Sequence, residues 1–406
     1  MSTGWAVVAL EEVCEFLDRR GLTPEKLGSS FISEGFRVIS AKNIKGRSID
    51  ITVGEQRFVD ESTYQRWMSS PLMVDDVILT SEAPLGEPAY MEQELKWCLG
   101  QRLFGVRPNK SKLYGRFLFY AFQASPVRDD MLSRATGATA QGIRQSELRK
   151  VKLPLPPLTE QRRIVTILDQ AFKAIATARA NTEQNRQNAH NLFESYLQEV
   201  FNLTETRWAV QPLANLCEPG RVITYGVIKL GDETSNGVPC LRTSNVRWLN
   251  IETEGIKRIA AKLSADYSRT ILKGGEVLVN VRGTLGGVAV VEPTMAGWNI
   301  SREVAMVPVD PLRVNPNFLS YLIGSGVSQQ WLGGVKKGAT YVGINLEDLR
   351  LLPVSVPPLD EQMKIVSYLD QRKAETKHLR SLYQRKIDAL DELKQSLLHQ
   401  AFSGKL

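Results

Sequence analysis

Hydrophobic and polar positions along the chain fall into two alternating regimes. Residues 1–158 and 204–358 mix short apolar runs, such as Val277-Leu278-Val279 and Val288-Ala289-Val290-Val291, with Gly and Pro punctuation. Aliphatic runs of this length bounded by turn formers predict short strands. Helical patterns at Gly115 to Gln123 and Phe318 to Ile323 make each stretch a mixed α/β globular domain. From Thr159 to Phe201, and again from Asp360 to Phe402, the chain holds neither Gly nor Pro. Each run predicts one helix of about 65 Å at 1.5 Å per residue. Pro157 and Pro358 block helix before them, and Thr159 and Asp360 are the expected N-caps.

The long runs carry apolar seams. Leu168, Ile175, Thr182, Ala189 and Tyr196 hold one heptad position of the first, and Ile164, Ala171, Ala178, Asn185 and Leu192 the other. The second offers Ile365, Leu369, Leu379, Tyr383, Leu390, Leu393 and Leu397. Two equal helices with such seams are expected to pair as an antiparallel coiled coil. Asn185, Arg372 and Lys386 interrupt the seams; they either fix the register or face solvent.

The two regimes recur because the chain is written twice. Phe117-Leu118-Phe119-Tyr120 matches Phe318-Leu319-Ser320-Tyr321 at an offset of 201, and Pro156 to Gln161 matches Pro357 to Gln362. Ile164, Val165, Leu168, Asp169 and Gln170 recur as Ile365, Val366, Leu369, Asp370 and Gln371. Upstream, Trp5-Ala6-Val7 returns as Trp208-Ala209-Val210 and Asn43-Ile44 as Asn245-Val246, with the offset drifting between 200 and 203. Two long copies exclude a solenoid and indicate a pseudo-twofold duplication. The expected fold class is α+β: globular domains at 1–158 and 204–358, a central helix at 159–203 and a C-terminal helix at 359–406.

Composition narrows the chemistry. With 406 residues, 43% hydrophobic and 23% charged, the chain is an ordinary globular protein. No run of 18 apolar residues occurs and Met1-Ser2-Thr3-Gly4 does not open a signal peptide, so the expected location is the cytoplasm, away from membranes. Four cysteines without C-x-x-C spacing and three dispersed histidines predict neither zinc nor disulfides. The net charge of +7 divides as +2, 0, +3 and +2 over 1–158, 159–201, 202–358 and 359–406. A spread excess of this size permits a polyanionic partner without requiring one.

Leu153 to Gln161, Leu-Pro-x-Pro-Pro-Leu-x-Glu-Gln running into a long helix, recurs as Val354 to Gln362 with Ser355 in place of Pro154. This resembles the specificity subunit of type I restriction-modification enzymes. The terminal Gln400 to Leu406, the Gln101-Arg102 and Ser301-Arg302 pairs, and the Gly-Ala-Thr loops at 137 and 338 resemble it too. The resemblance implies two target-recognition domains reading a split, asymmetric DNA site, with the helices as spacer. It implies no catalysis, cofactor or metal in this chain, and two docked methyltransferase subunits that carry S-adenosylmethionine. Restriction and translocation subunits can join such a complex. The docking candidates are Pro157, Leu158, Glu160 and Gln161, with Pro358, Leu359, Glu361 and Gln362.

Residues identical in both halves cannot distinguish two half-sites, so base readers are expected where the copies diverge. Lys96, Arg102, Arg107, Lys110, Lys112 and Arg116 lie in a stretch from Leu95 to Arg128 without an acidic residue. The second half offers Arg242, Arg247, Lys336, Lys337 and Tyr341. Any one of these cations could instead be a solvated surface residue.

Three strings imitate catalytic motifs. Asn315-Pro316-Asn317-Phe318 lacks a proline of the adenine-methyltransferase motif and is read as a turn before a helix. Asp76 with Glu94-Leu95-Lys96 loosely fits a nuclease metal triad that the second copy loses. Gly283 to Gly287 lacks the Lys-Ser/Thr end of a phosphate loop and is read as a β-turn. The rival functions are a cytosolic coiled-coil interaction scaffold and a single-chain nuclease.

Overall fold

The computed structural model describes residues 4–137, 141–202, 208–336 and 343–406. The chain divides into two compact units, one reaching to Thr182 and including Arg385–Leu406, the other spanning Glu183–Gln384. Each unit contains one globular half, the start of the long helix that follows it and the end of the other long helix.

Both units are built on the same strand plan. In the first, β1 (Cys14–Asp18), β2 (Val77–Thr80), β3 (Pro88–Tyr90) and β4 (Leu103–Pro108) form an antiparallel sheet in the order β1-β4-β2-β3. In the second, β5 (Thr224–Tyr225), β6 (Val277–Asn280), β7 (Val288–Val290) and β8 (Val304–Val307) repeat it as β5-β8-β6-β7. A three-stranded sheet accompanies each, with one antiparallel and one parallel pairing: Phe36–Ile39 between Phe58–Val59 and Cys98–Leu99, and Val238–Leu241 between Lys257–Ile259 and Asn299–Ile300. The central strands β2 and β6 are buried along their whole length, as continuous aliphatic runs require.

Short ribbons close each half. Ala6–Ala9 pairs with Lys152–Leu155, and Val210–Pro212 with Pro353–Ser355, which brings each domain's first strand beside the residues entering its helix. Beyond these, α1 (Gly115–Ala121) and α3 (Pro316–Gly324) fall where the sequence pattern places them, and α2 (Leu158–Asn202) and α4 (Leu359–Phe402) are the long helices. The capping expectation is corrected by two residues. The carbonyls of Pro157 and Pro358 accept the first intrahelical bonds, from Glu160 and Gln161 and from Glu361 and Gln362, so Thr159 and Asp360 lie inside the first turn. There Glu160, Asp360 and Glu361 favour the positive end of the helix dipole.

Within each unit the long helices run antiparallel. Ile164, Val165 and Leu168 of α2 share a core with Leu398, Ala401 and Phe402 of α4. In the other unit, Phe193, Leu197 and Phe201 share one with Val366 and Leu369. The strict heptad holds for one seam and drifts in the other. Leu168, Ile175, Thr182 and Ala189 are buried, but Asn185 and Leu192 are exposed while Phe193 takes the inner place. A straight helix of 3.6 residues per turn rotates about 20° per heptad away from a 3.5 repeat, which carries the second seam forward by one residue. Asn185 and Lys386 therefore face solvent, whereas Arg372 sits over the Tyr196 and Tyr368 rings, 5.6 and 5.1 Å from their centres.

Candidate nucleic-acid interface

The residues repeated in both halves build the frame. Gln161 is fully buried at the start of α2; its Oε1 accepts from the Tyr114 amide at 2.8 Å, and its Nε2 donates to the carbonyls of Lys112 and Pro156 at 2.9 and 2.8 Å. Gln362 repeats this with Asn315, Arg313 and Pro357 at 2.7, 3.2 and 2.8 Å. The Tyr120 hydroxyl donates to Asp169 and the Tyr321 hydroxyl to Asp370, fastening each short helix to a long one. Burial and these carboxylates push both phenols well above their ordinary range. Asn43 and Asn245 are buried and hold the same loop, accepting from the amides of Ser40 and Arg242. Sequence reasoning gave Gln161 and Gln362 a docking role and gave Asp169, Asp370, Asn43 and Asn245 none. The signal that could have found them is their recurrence as polar residues in otherwise apolar repeats.

A buried acid before the central strand also recurs with a different partner. Asp76 holds the Arg107 guanidinium at 2.9 and 2.8 Å, and Arg107 also donates to Ser70 and the Pro71 carbonyl. Glu276, in the same place, holds Arg221 at 2.8 Å and accepts from the amides of Lys273 and Gly274. The Asp76 carboxylate raises the Arg107 pKa further above its ordinary value. Asp76 is thus part of an internal ion pair, and among the described residues no group of three or more His, Cys, Asp or Glu could hold a metal.

The remaining candidate cations differ in availability. Arg116 is half-buried and tied to Asp169 and Glu92 at 2.9 and 3.0 Å. Lys96 and Lys112 are exposed and form no ion pair among the described residues. Lys110 meets Asp75 at 3.2 Å, Arg102 meets Glu82 at 3.1 Å and Arg247 meets Glu252 at 3.0 Å, all with well-exposed cations. Arg242 donates to the Gly255 carbonyl, while its Nε is buried without a partner. Lys336 is exposed beside a cavity of about 120 Å³. Lys337 and Tyr341, with most of both Gly-Ala-Thr loops, lie outside the described residues. A larger cavity of about 600 Å³ in the first half is lined by Phe31, Lys42, Arg57, Gln101 and Arg102.

At the docking motif, Pro157, Pro358 and Leu359 are exposed and Leu158 is half-buried, while Glu160 pairs with Arg163 at 2.8 Å. Glu361 is half-buried. The other strings resolve simply. Asn315 caps α3, its side chain accepting from the amides of Asn317 and Phe318, and Gly283 to Gly287 form the turn from β6 to β7. Burial pushes the Cys98 and Cys240 thiols up to about 12 and that of Cys217 up to about 11, so they stay protonated at neutral pH.

Two related mixed α/β folds, each tied by a repeated glutamine to a long helix, define a tandem two-domain protein. The family model of the type I restriction modification DNA specificity domain matches twice, at residues 2–184 and 194–384. The chain belongs to this family. It is 23% identical over 425 residues to the type I restriction enzyme EcoKI specificity subunit of Escherichia coli, covering 99% of this chain and 89% of that one. With the EcoBI specificity subunit of Escherichia coli it shares 24% identity over 337 residues, 76% of this chain and 70% of the other. Its fold is similar to a chain from a type I R-M system studied for complex assembly and conformational transition, with TM-score 0.75, 22% identity and coverage of 99% and 98%. It is also similar to the HsdS subunit from Thermoanaerobacter tengcongensis, with TM-score 0.58, 22% identity and coverage of 99% and 97%. The scaffold reading finds no support in these likenesses. No described helix is long and apolar enough to cross a membrane.

Proposed function

We propose that this chain is the DNA-specificity subunit of a type I restriction-modification assembly, reading a bipartite asymmetric site on double-stranded DNA. The observation that carries this reading is the specificity-domain match to both halves, each built on the same four-stranded plan. The target-recognition domains are 1–158 and 204–358, and the spacer helices are 159–203 and 359–406. The chain supplies specificity and no catalysis. It docks two methyltransferase subunits, which bring S-adenosylmethionine, and restriction subunits that join them, all in the cytoplasm.

DNA contacts fall to the exposed cations Lys96, Arg102, Lys110, Lys112, Arg247 and Lys336, with the half-buried Arg242 and with Lys337 and Tyr341. Arg107 and Arg116, engaged with Asp76 and Asp169, act by shaping the surface. The helix entrances carry docking through exposed Pro157, Pro358 and Leu359, with Leu158, Glu160 and Glu361 beside them; Gln161 and Gln362 hold that surface from beneath. The test is methylome sequencing with and without the chain in a host expressing its methyltransferase. A split adenine-methylation motif that vanishes on deletion is expected; an unchanged methylome overturns the proposal.

A further inference from the structure

One pair of equivalent positions in the two halves shares its strand hydrogen bonding and carries opposite charge. Leu103 pairs with Thr80 in β4·β2, and Val304 pairs with Asn280 in β8·β6. Equivalent residues therefore stand one position before Leu103 and Val304, Arg102 with Glu303, and two positions after Thr80 and Asn280, Glu82 with Arg282. Sequence alone aligns Gln101-Arg102 with Ser301-Arg302; the strand register shifts this match by one residue and reveals the inversion.

The surrounding backbone is unchanged by it. The Ser81 amide donates to the Arg102 carbonyl at 2.9 Å, and the Val281 amide to the Glu303 carbonyl at 2.9 Å. Ile143 donates to Ser81 at 3.0 Å and Ile344 to Val281 at 2.8 Å, while Glu82 bridges to Gly142 and Arg282 to Gly343. A Cβ on Gly142 would stand 3.3 Å from the Glu82 Cβ, and one on Gly343 would stand 3.3 Å from the Arg282 Cγ. Each glycine thus lets a neighbouring segment lie against the inverted residue. Both polarities thus sit on one hydrogen-bond plan, although Arg102 takes a left-handed φ and Glu303 does not, so the strand pairing does not dictate which is used.

The side chains differ in what they offer. Glu82 and Arg102 form an ion pair at 3.1 Å, 40% and 55% exposed, and Arg102 lines the 600 Å³ cavity. Arg102 holds φ +66°, a left-handed backbone that a side-chain-bearing residue keeps only where its surroundings impose it. Arg282 is exposed, lies over the Tyr225 ring at 5.9 Å and has no ion pair among the described residues. A free guanidinium matches the O6 and N7 acceptors of guanine, whereas a carboxylate accepts from an exocyclic base amine.

Resting on the DNA-reading assignment above, we propose that positions 82/102 and 282/303 are base-selecting pairs of opposite polarity. Arg282 reads a guanine in the second half-site. Glu82, steadied by Arg102, accepts from a base amine in the first.

The test transplants charge in the full chain assembled with its methyltransferase, comparing methylation of the native site with a library randomised in each half-motif. Glu82→Arg/Arg102→Glu is expected to lower native-site methylation about tenfold or more and move one first-half position toward guanine, leaving the second half-motif intact. Arg282→Glu/Glu303→Arg is expected to lose a guanine in the second half-motif only. Glu82→Gln/Arg102→Gln is the neutral control should an inverted pair lower the melting temperature; it is expected to relax the same first-half position. Unchanged base preferences in all three variants overturn the inference, including the case of a uniform rate loss, which marks a phosphate contact. If the unmodified chain directs no bipartite motif, the DNA-reading assignment fails first, a distinct result.

Discussion

Gln161 and Gln362 are single side chains that each saturate three backbone groups in the segments leading into a short helix and a long one. Removing a partner strands buried polar groups at about 1–3 kcal/mol each. Gln161→Ala, which leaves the Tyr114 amide and two carbonyls unmet, should destabilise by about 3 kcal/mol in chemical denaturation; a change below about 1 kcal/mol would show that water replaces the clasp. Charge pairs at this scale respond to pH. Burial alone would raise the Asp18 pKa, but Arg20, 2.7 Å away, holds it below the usual carboxylate range. A depressed native pKa stabilises the fold above the ordinary carboxylate pKa of about 4 and loses that contribution as pH falls through the native value. Arg20→Ala should therefore be less stable than the parent at pH 7, with the gap narrowing on acidification; melting curves from pH 7 to 3 would expose a constant gap.

At the scale of the element, the long helices separate periodicity from geometry. Their extent was legible because Gly and Pro are absent and the apolar residues recur, properties of short windows. The facing residues were less so: a strict heptad selects Leu192, which is 39% exposed, while Phe193 is 3% exposed. Phe193→Ala should destabilise the chain by about 3–5 kcal/mol and Leu192→Ala by no more than about 0.5 kcal/mol. Equal losses in paired denaturation curves would restore the strict heptad. The strands show the same limit. Aliphatic runs marked β2 and β6, but two-residue strands such as Phe58–Val59 exist only through pairing with Phe36–Ile39.

At the scale of the whole molecule, the charge of +7 is spread over both globular halves and the C-terminal helix. Two expected contact residues, Arg107 and Arg116, are committed to Asp76 and Asp169. With no segment carrying an excess above +3, the basic charge is divided between the halves rather than concentrated, so the isolated chain should bind DNA no more tightly than about 1 μM at physiological salt, gaining sequence selectivity when methyltransferase is added. Titration with labelled DNA over a salt series checks this; a nanomolar, sequence-specific complex of the chain alone would contradict it.

The sequence by itself determined the duplication, the two long helices, the turns that begin them and the family. Each is written in local spacing or in similarity between segments, which survive without any knowledge of packing. Only the tertiary structure decided which cations are free. Arg107 meets Asp76 across 31 residues and Gln161 meets Tyr114 across 47, and no local pattern encodes either pairing. It also decided which residues of the two halves correspond. Insertions shift the offset between 200 and 203, and strand hydrogen bonds alone place Arg102 opposite in charge to Glu303. The scaffold is therefore legible as repetition, whereas the surface that distinguishes two half-sites emerges when strands distant in sequence set their register.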